Sequence, residues 1–171
     1  KFLAYVNDTY QQITDGFVSE DLGKLQKAES SMHRERFNLK QLRRKEMLGL
    51  RRIDQDVAIE KSTWFHIGRN SCEDMLYSLR RICDPCEEHI DNSFVPLSMD
   101  RVKEFMPLRD TMLFLLKRSE AVISSHDREG AEKVRGQCES FRECVAQTRR
   151  EQVGRMRAEK DNITVAYVSL N

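Results

Sequence analysis

Residues 19–52 read SEDLGKLQKAESSMHRERFNLKQLRRKEMLGLRR, and the spacing within them decides the fold class. Leu22, Leu25, Ala28, Met32, Leu39, Leu42, Met47 and Leu50 keep to the three-and-four step of one face of an α-helix. Ser19 stands at a capping position. Glu20 and Asp21 behind it suit the positive end of a helix dipole. The stretch predicts one long helix running to about Arg52, with those apolar residues facing inward.

The same periodicity continues in both directions. Phe2, Val6, Tyr10, Ile13 and Phe17 mark a first helix. A third runs from about Val57 to Ile90, with Trp64, Ile67, Ser71, Met75, Leu79, Ile82, Cys86 and Ile90 as its stripe and a kink expected at Pro85. After a loop over residues 91–98, a fourth starts near Met99 and should bend at Pro107. It carries Val102, Phe105, Met112, Leu113, Leu116 and Ile123. A fifth spans about Arg128 to Lys160, and a sixth begins near Asp161 with Ile163, Ala166 and Leu170. With 171 residues there is room for one domain, and 33% charged residues place its surface in water. Seven glycines and three prolines are too few for the turns of a sandwich or barrel. No apolar run reaches the roughly 18–20 residues of a bilayer span, and no signal-peptide pattern is read. A net charge of +1 speaks against nucleic acid as a partner. The odd count of five cysteines suits free thiols in a reducing compartment, so a cytoplasmic setting is expected.

Displacing the chain on itself by 106 residues aligns two helices and the turn between them. Asp21 falls on Asp127, and Leu25, Ala28 and Met32 fall on Ala131, Val134 and Cys138. Phe2, Val6, Tyr10 and Phe17 fall on Leu108, Met112, Leu116 and Ile123. This predicts an all-α, six-helix bundle made of two tandem three-helix repeats, about 1–94 and about 99–171. The third helix would have a partner extending well past Asn171, so the sixth is expected to be incomplete in this chain. That would leave an apolar groove along helices four and five and a route to a homodimer.

Several side chains carry candidate chemistry. Cys83-Asp84-Pro85-Cys86, with His89 behind, has the spacing of a zinc or redox motif. It lacks a second ligand pair and a βαβ setting, and core packing is the favoured reading. Glu73, Asp74, Asp84 and Glu88 lie on one helix and could line a hard-cation site, against the simpler reading of a solvated face. The four histidines pair with no nucleophile, so an enzyme is not expected. Two basic clusters end the second and fifth helices: Arg43, Arg44, Arg51 and Arg52, and then Arg149, Arg150, Arg155 and Arg157. Cations there also complement the helix dipole. With the first two helices antiparallel and the repeat applied, both clusters are expected at one tip, where each Lys or Arg near an anionic leaflet would contribute about 1 kcal/mol.

A doubled helix–helix–long-helix unit of this length resembles the PhoU family. More closely it resembles the PhoU-like C-terminal domain of bacterial sodium/phosphate cotransporters. Phe2-Leu3-Ala4-Tyr5-Val6-Asn7-Asp8-Thr9-Tyr10 looks like that domain's first helix, directly after the membrane part. Cys72-Glu73-Asp74-Met75-Leu76-Tyr77 lies where the family has its acidic motif. Asn162-Ile163-Thr164-Val165-Ala166-Tyr167 looks like the start of its last helix. The resemblance implies a regulatory or accessory role in phosphate uptake at the cytoplasmic face of the bacterial inner membrane. Its partners would be the membrane part of the same transporter and anionic lipid. It also implies iron or zinc on Glu-x-x-x-Asp motifs. This sequence departs from that motif, with Tyr77 four residues after Glu73 and Arg80 four before Asp84. A free-standing metal-binding regulator or scaffold of the same shape is the alternative.

Overall fold

The computed structural model describes residues 1–159, and the expected sixth helix lies outside them. Five helices follow in order: α1 (Phe2–Val18), α2 (Leu22–Leu50), α3 (Gln55–Asp91), α4 (Met99–Ser125) and α5 (Arg128–Glu159). There is no strand among the described residues. Helix starts are set by short polar side chains that take up otherwise unpaired N–H groups. Ser98 accepts from the Arg101 N–H, and Asp54 from that of Asp56. The cap of α2 is Asp21, which accepts from the Lys24 N–H at 3.1 Å, rather than Ser19. Ser19 instead closes α1, its hydroxyl donating to the Asp15 carbonyl. Asp127 does for α5 what Asp21 does for α2, accepting from the Gly130 N–H at 3.0 Å. Neither Pro85 nor Pro107 ends its helix.

Helix α1 is the centre of the bundle and packs against α2, α3 and α4, while α5 packs on α4. Gly16 lets the α1–α2 corner close, since a Cβ there would stand 3.1 Å from Leu25. Ile13, Leu25, Cys83, Cys86 and Phe105 are fully enclosed where α1, α2, α3 and α4 meet. Helices α1 and α4 run antiparallel. The Lys1 amino group reaches Glu120 at 3.1 Å, and Arg109 Nε donates to Thr14 Oγ1 at 3.0 Å. Arg109 also pairs with Asp15 across the interface and with Asp110 on its own helix. It is the one buried cation of the described core. Both carboxylates are half-open to water, which weakens the ion pairs, but Thr14 is enclosed. Arg109→Met is therefore expected to lower stability by about 2 kcal/mol in urea unfolding. A loss below a few tenths would mean that α4 is held on α1 by apolar packing alone.

The expected inward faces hold near α1 and fail beyond it. Helix α1 has 17 residues and α2 has 29, lengths of about 25 and 43 Å at 1.5 Å per residue. Past Leu39 no third helix among the described residues covers the α2–α3 pair. No residue between Leu39 and Leu76 is buried. Leu42, Met47, Trp64 and Ile67 all lie exposed on this projecting arm. The periodicity was that of a helix, but it did not mark a core.

Candidate interaction surfaces

The four candidate metal ligands do not converge. Glu73 and Asp84 are 11 positions apart on α3, which separates them by about 16 Å along the axis, and Glu88 lies a further turn on. Arg69 grips both oxygens of Glu73, through Nε at 3.1 Å and Nη2 at 2.9 and 3.0 Å. Arg80 Nε donates to Asp84 at 3.4 Å. Glu73, Asp74 and Asp84 share a cleft of about 610 Å³ between α2 and α3, but Arg36, Lys40, Arg80 and Arg81 line it too. Among the described residues no three His, Cys, Asp or Glu side chains stand close enough to hold an ion. The described residues give no support to iron or zinc on this face. One helix spreads acids along its length, and two of them, Glu73 and Asp84, already have cationic partners.

Cys83 and Cys86 share a face, as their spacing implied, and that face is the core. Both are fully enclosed, and Cys83 Sγ donates to the Leu25 carbonyl at 3.8 Å. Burial, with Glu87, Asp84 and Glu29 adding to it, pushes the Cys83 thiol up to about 12. Burial raises Cys86 as well. Neither is the thiolate that metal binding or disulfide exchange requires. His89 is buried between the rings of Phe17 and Phe94, with centroids 5.2 and 5.6 Å away. Neither ring nitrogen has a hydrogen-bond partner among the described residues. Glu87 is raised by partial burial and by two nearby acids, Glu29 of α2 and Asp84 on its own helix.

The two basic clusters lie at opposite ends of the bundle, not at one tip. Because α4 runs antiparallel to α1, the end of α5 is carried to where α4 begins: Arg155 Nη2 donates to Glu104 at 2.5 Å. Arg150 donates to Gln147 on its own helix, and Arg149 borders the apolar groove described below. Arg157 is placed only as a backbone position near the end of α5. The first cluster projects with the α2–α3 arm past the start of α1. There Lys40, Arg43, Arg44 and Arg51, with Met47 and Leu48 between them, form a groove of about 640 Å³ against Arg69 and Glu73 of α3. Arg52 follows directly after α2.

A third surface is apolar. Leu108, Met112, Leu115 and Leu116 of α4 and Cys138, Phe141 and Val145 of α5 line a groove of about 650 Å³, to which Tyr10 of α1 and Ile82 of α3 also contribute. Comparisons with family models, curated proteins and solved structures give no match to this chain. No described helix is long and apolar enough to cross a membrane. The residue that sequence reading passed over is Arg109. Its signal was a cation four residues after Phe105, in line with the apolar face of α4.

Proposed function

We propose that this chain is an accessory, non-catalytic module of a sodium-dependent phosphate transporter. In this reading it is a PhoU-like domain at the cytoplasmic face of the bacterial inner membrane, regulating uptake through contact. It meets anionic headgroups, or the membrane part of the same transporter, with the cationic groove of the α2–α3 arm. The observation that carries the reading is that groove, in which five cations face one acid at a projecting end with nothing of the described chain covering it.

The architecture belongs to the same proposal: two tandem three-helix repeats, six helices in all. Support comes from the capping pattern and from the apolar groove. Helices α2 and α5 start 106 positions apart, each capped by an Asp bonded to the N–H three residues on. At the same offset, Val6, Tyr10, Met32 and Leu39 are buried in the α1–α2–α3 unit, and their counterparts Met112, Leu116, Cys138 and Val145 line the open groove. That groove is the seat a sixth helix takes if the trio is repeated.

Flotation with vesicles containing phosphatidylglycerol tests the contact. The wild type is expected to float, and a variant with Arg43, Arg44, Arg51 and Arg52 changed to Gln is expected to lose at least about tenfold in binding, each cation contributing on the order of 1 kcal/mol. Arg149→Gln with Arg150→Gln, at the other end, should float like the wild type. Sodium-dependent phosphate uptake by cells carrying the fourfold variant reads the regulation. Equal flotation together with unchanged uptake would sink the reading.

A further inference from the structure

The flank of α3 that does not line the cationic groove carries a different surface. Val57, Lys61, Trp64, Gly68, Ser71 and Met75 follow at steps of three and four and form one stripe along the helix. Trp64, the chain's single tryptophan, is 67% exposed, and Val57 is 45% exposed. A side chain at Gly68 would meet nothing within 4 Å. One face therefore presents a large aromatic knob and, one turn further on, a patch of bare backbone. A surface that holds both a projection and its recess is complementary to itself under a two-fold axis, the rule for isologous contacts.

We propose that this stripe pairs with the same stripe of a second copy, α3 against α3 in antiparallel register, about an axis near His66. Each Trp64 then lies on the partner's Gly68, Lys61 faces the partner's Ser71, and Val57 meets the exposed part of the partner's Met75, a half-buried side chain that also packs on its own core. At this register no Asp, Glu, Lys or Arg between Val57 and Met75 stands opposite another. Val57 and Trp64 are its exposed apolar side chains, and a Trp that becomes buried on association is a typical anchor. Charge decides the occupant. An anionic bilayer draws on clustered cations, and Lys61 is the sole charge in the stripe. The clustered cations line the groove with Arg43, Arg44 and Arg51, to which no stripe residue contributes. The pairing stands apart from the phosphate-transport reading and leaves that groove open.

Trp64 emission reads the contact directly, since no other tryptophan contributes. Sedimentation velocity from nanomolar to high micromolar protein is expected to show a monomer passing to a dimer, with Trp64 emission shifting to the blue along the same curve. Gly68→Leu fills the recess at a position open to water, so the helix itself should be unharmed. Trp64→Ala removes the knob. Each is expected to weaken dimerisation at least about tenfold, with unchanged helical circular dichroism. A wild type that remains monomeric throughout overturns the proposal. So does a dimer that Gly68→Leu leaves intact, which would put the interface elsewhere. A monomer whose Trp64 emission moves only when anionic vesicles are added would assign the stripe to lipid and overturn it equally.

Discussion

Phe105→Ala is expected to destabilise the protein by about 3–5 kcal/mol, the range for removing an enclosed aromatic ring and leaving a cavity. Phe105 is fully enclosed, and the other buried residues of its helix are Arg109 and Leu115. It is the α4 side chain most deeply set in the core cluster, beside which Met106, Met112, Leu113 and Leu116 pack, and α5 lies behind α4. The buried cluster it joins also draws on α1, α2 and α3, and closing the gap would mean moving α4 on α1, the core helix it packs against. Urea unfolding followed by circular dichroism measures the loss. Phe114→Ala is the control, since that ring is exposed on the same helix and should cost under about 0.5 kcal/mol. A Phe105→Ala loss as small as the control would mean that the second half of the chain docks on α1 by some other contact.

Alkaline pH is expected to unfold the protein in a window set by its buried acids. Burial pushes Cys83 from 9.0 up to about 12. It pushes Tyr10 from 10.0 up to about 12, with Arg109 pulling the other way. Both groups are neutral when protonated, and the fold holds the proton more tightly than the unfolded chain does. Between the two values the unfolded chain therefore binds fewer protons, and stability falls as pH rises. The contribution is whole below about pH 9 and is lost on the way to 12. For Cys83 alone the raised value corresponds to a loss on the order of 4 kcal/mol. Urea midpoints should be flat from neutral pH to about 9 and then drop steeply. A Cys83→Ala variant should start lower and drop less. A thiol reagent gives the same answer by another route: exposed Cys144 should react at once, Cys83 and Cys86 only on unfolding. Midpoints that stay level through pH 11 would show that these groups are not shielded.

The helices themselves were legible from spacing alone. The periodic runs around Leu25, Leu79 and Val134 give α2, α3 and α5 within a few residues of their observed ends, because a helix is a local object whose hydrogen bonds close within one turn. Cys86 could be placed in the core for the same reason. Misread positions such as Leu42, Met47, Trp64 and Ile67 share one cause. An apolar stripe states which face of a helix is sticky, but not whether another helix is long enough to cover it. The metal reading finds no support among the described residues for a similar reason. Glu73, Asp74, Asp84 and Glu88 lie close in sequence, yet ligation needs convergence from different elements, and Arg69 and Arg80 had taken two of the acids already. Arg109 showed only its place in line with the apolar face of α4, because its partners, Thr14 and Asp15, are more than ninety positions away.

Sequence by itself determined that this chain is helical, roughly where each helix starts, and that Asp21 and Asp127 occupy matching places. All of these follow from interactions within a few residues. The tertiary structure alone decided that α1 and α4 run antiparallel. That one orientation sends the two basic clusters to opposite ends, while the shortness of α1 leaves the α2–α3 arm without cover from the other described helices. Chain direction in a bundle is fixed by contacts between distant segments, here Lys1 with Glu120 and Arg109 with Thr14, and the repeat period of a single helix carries no record of them.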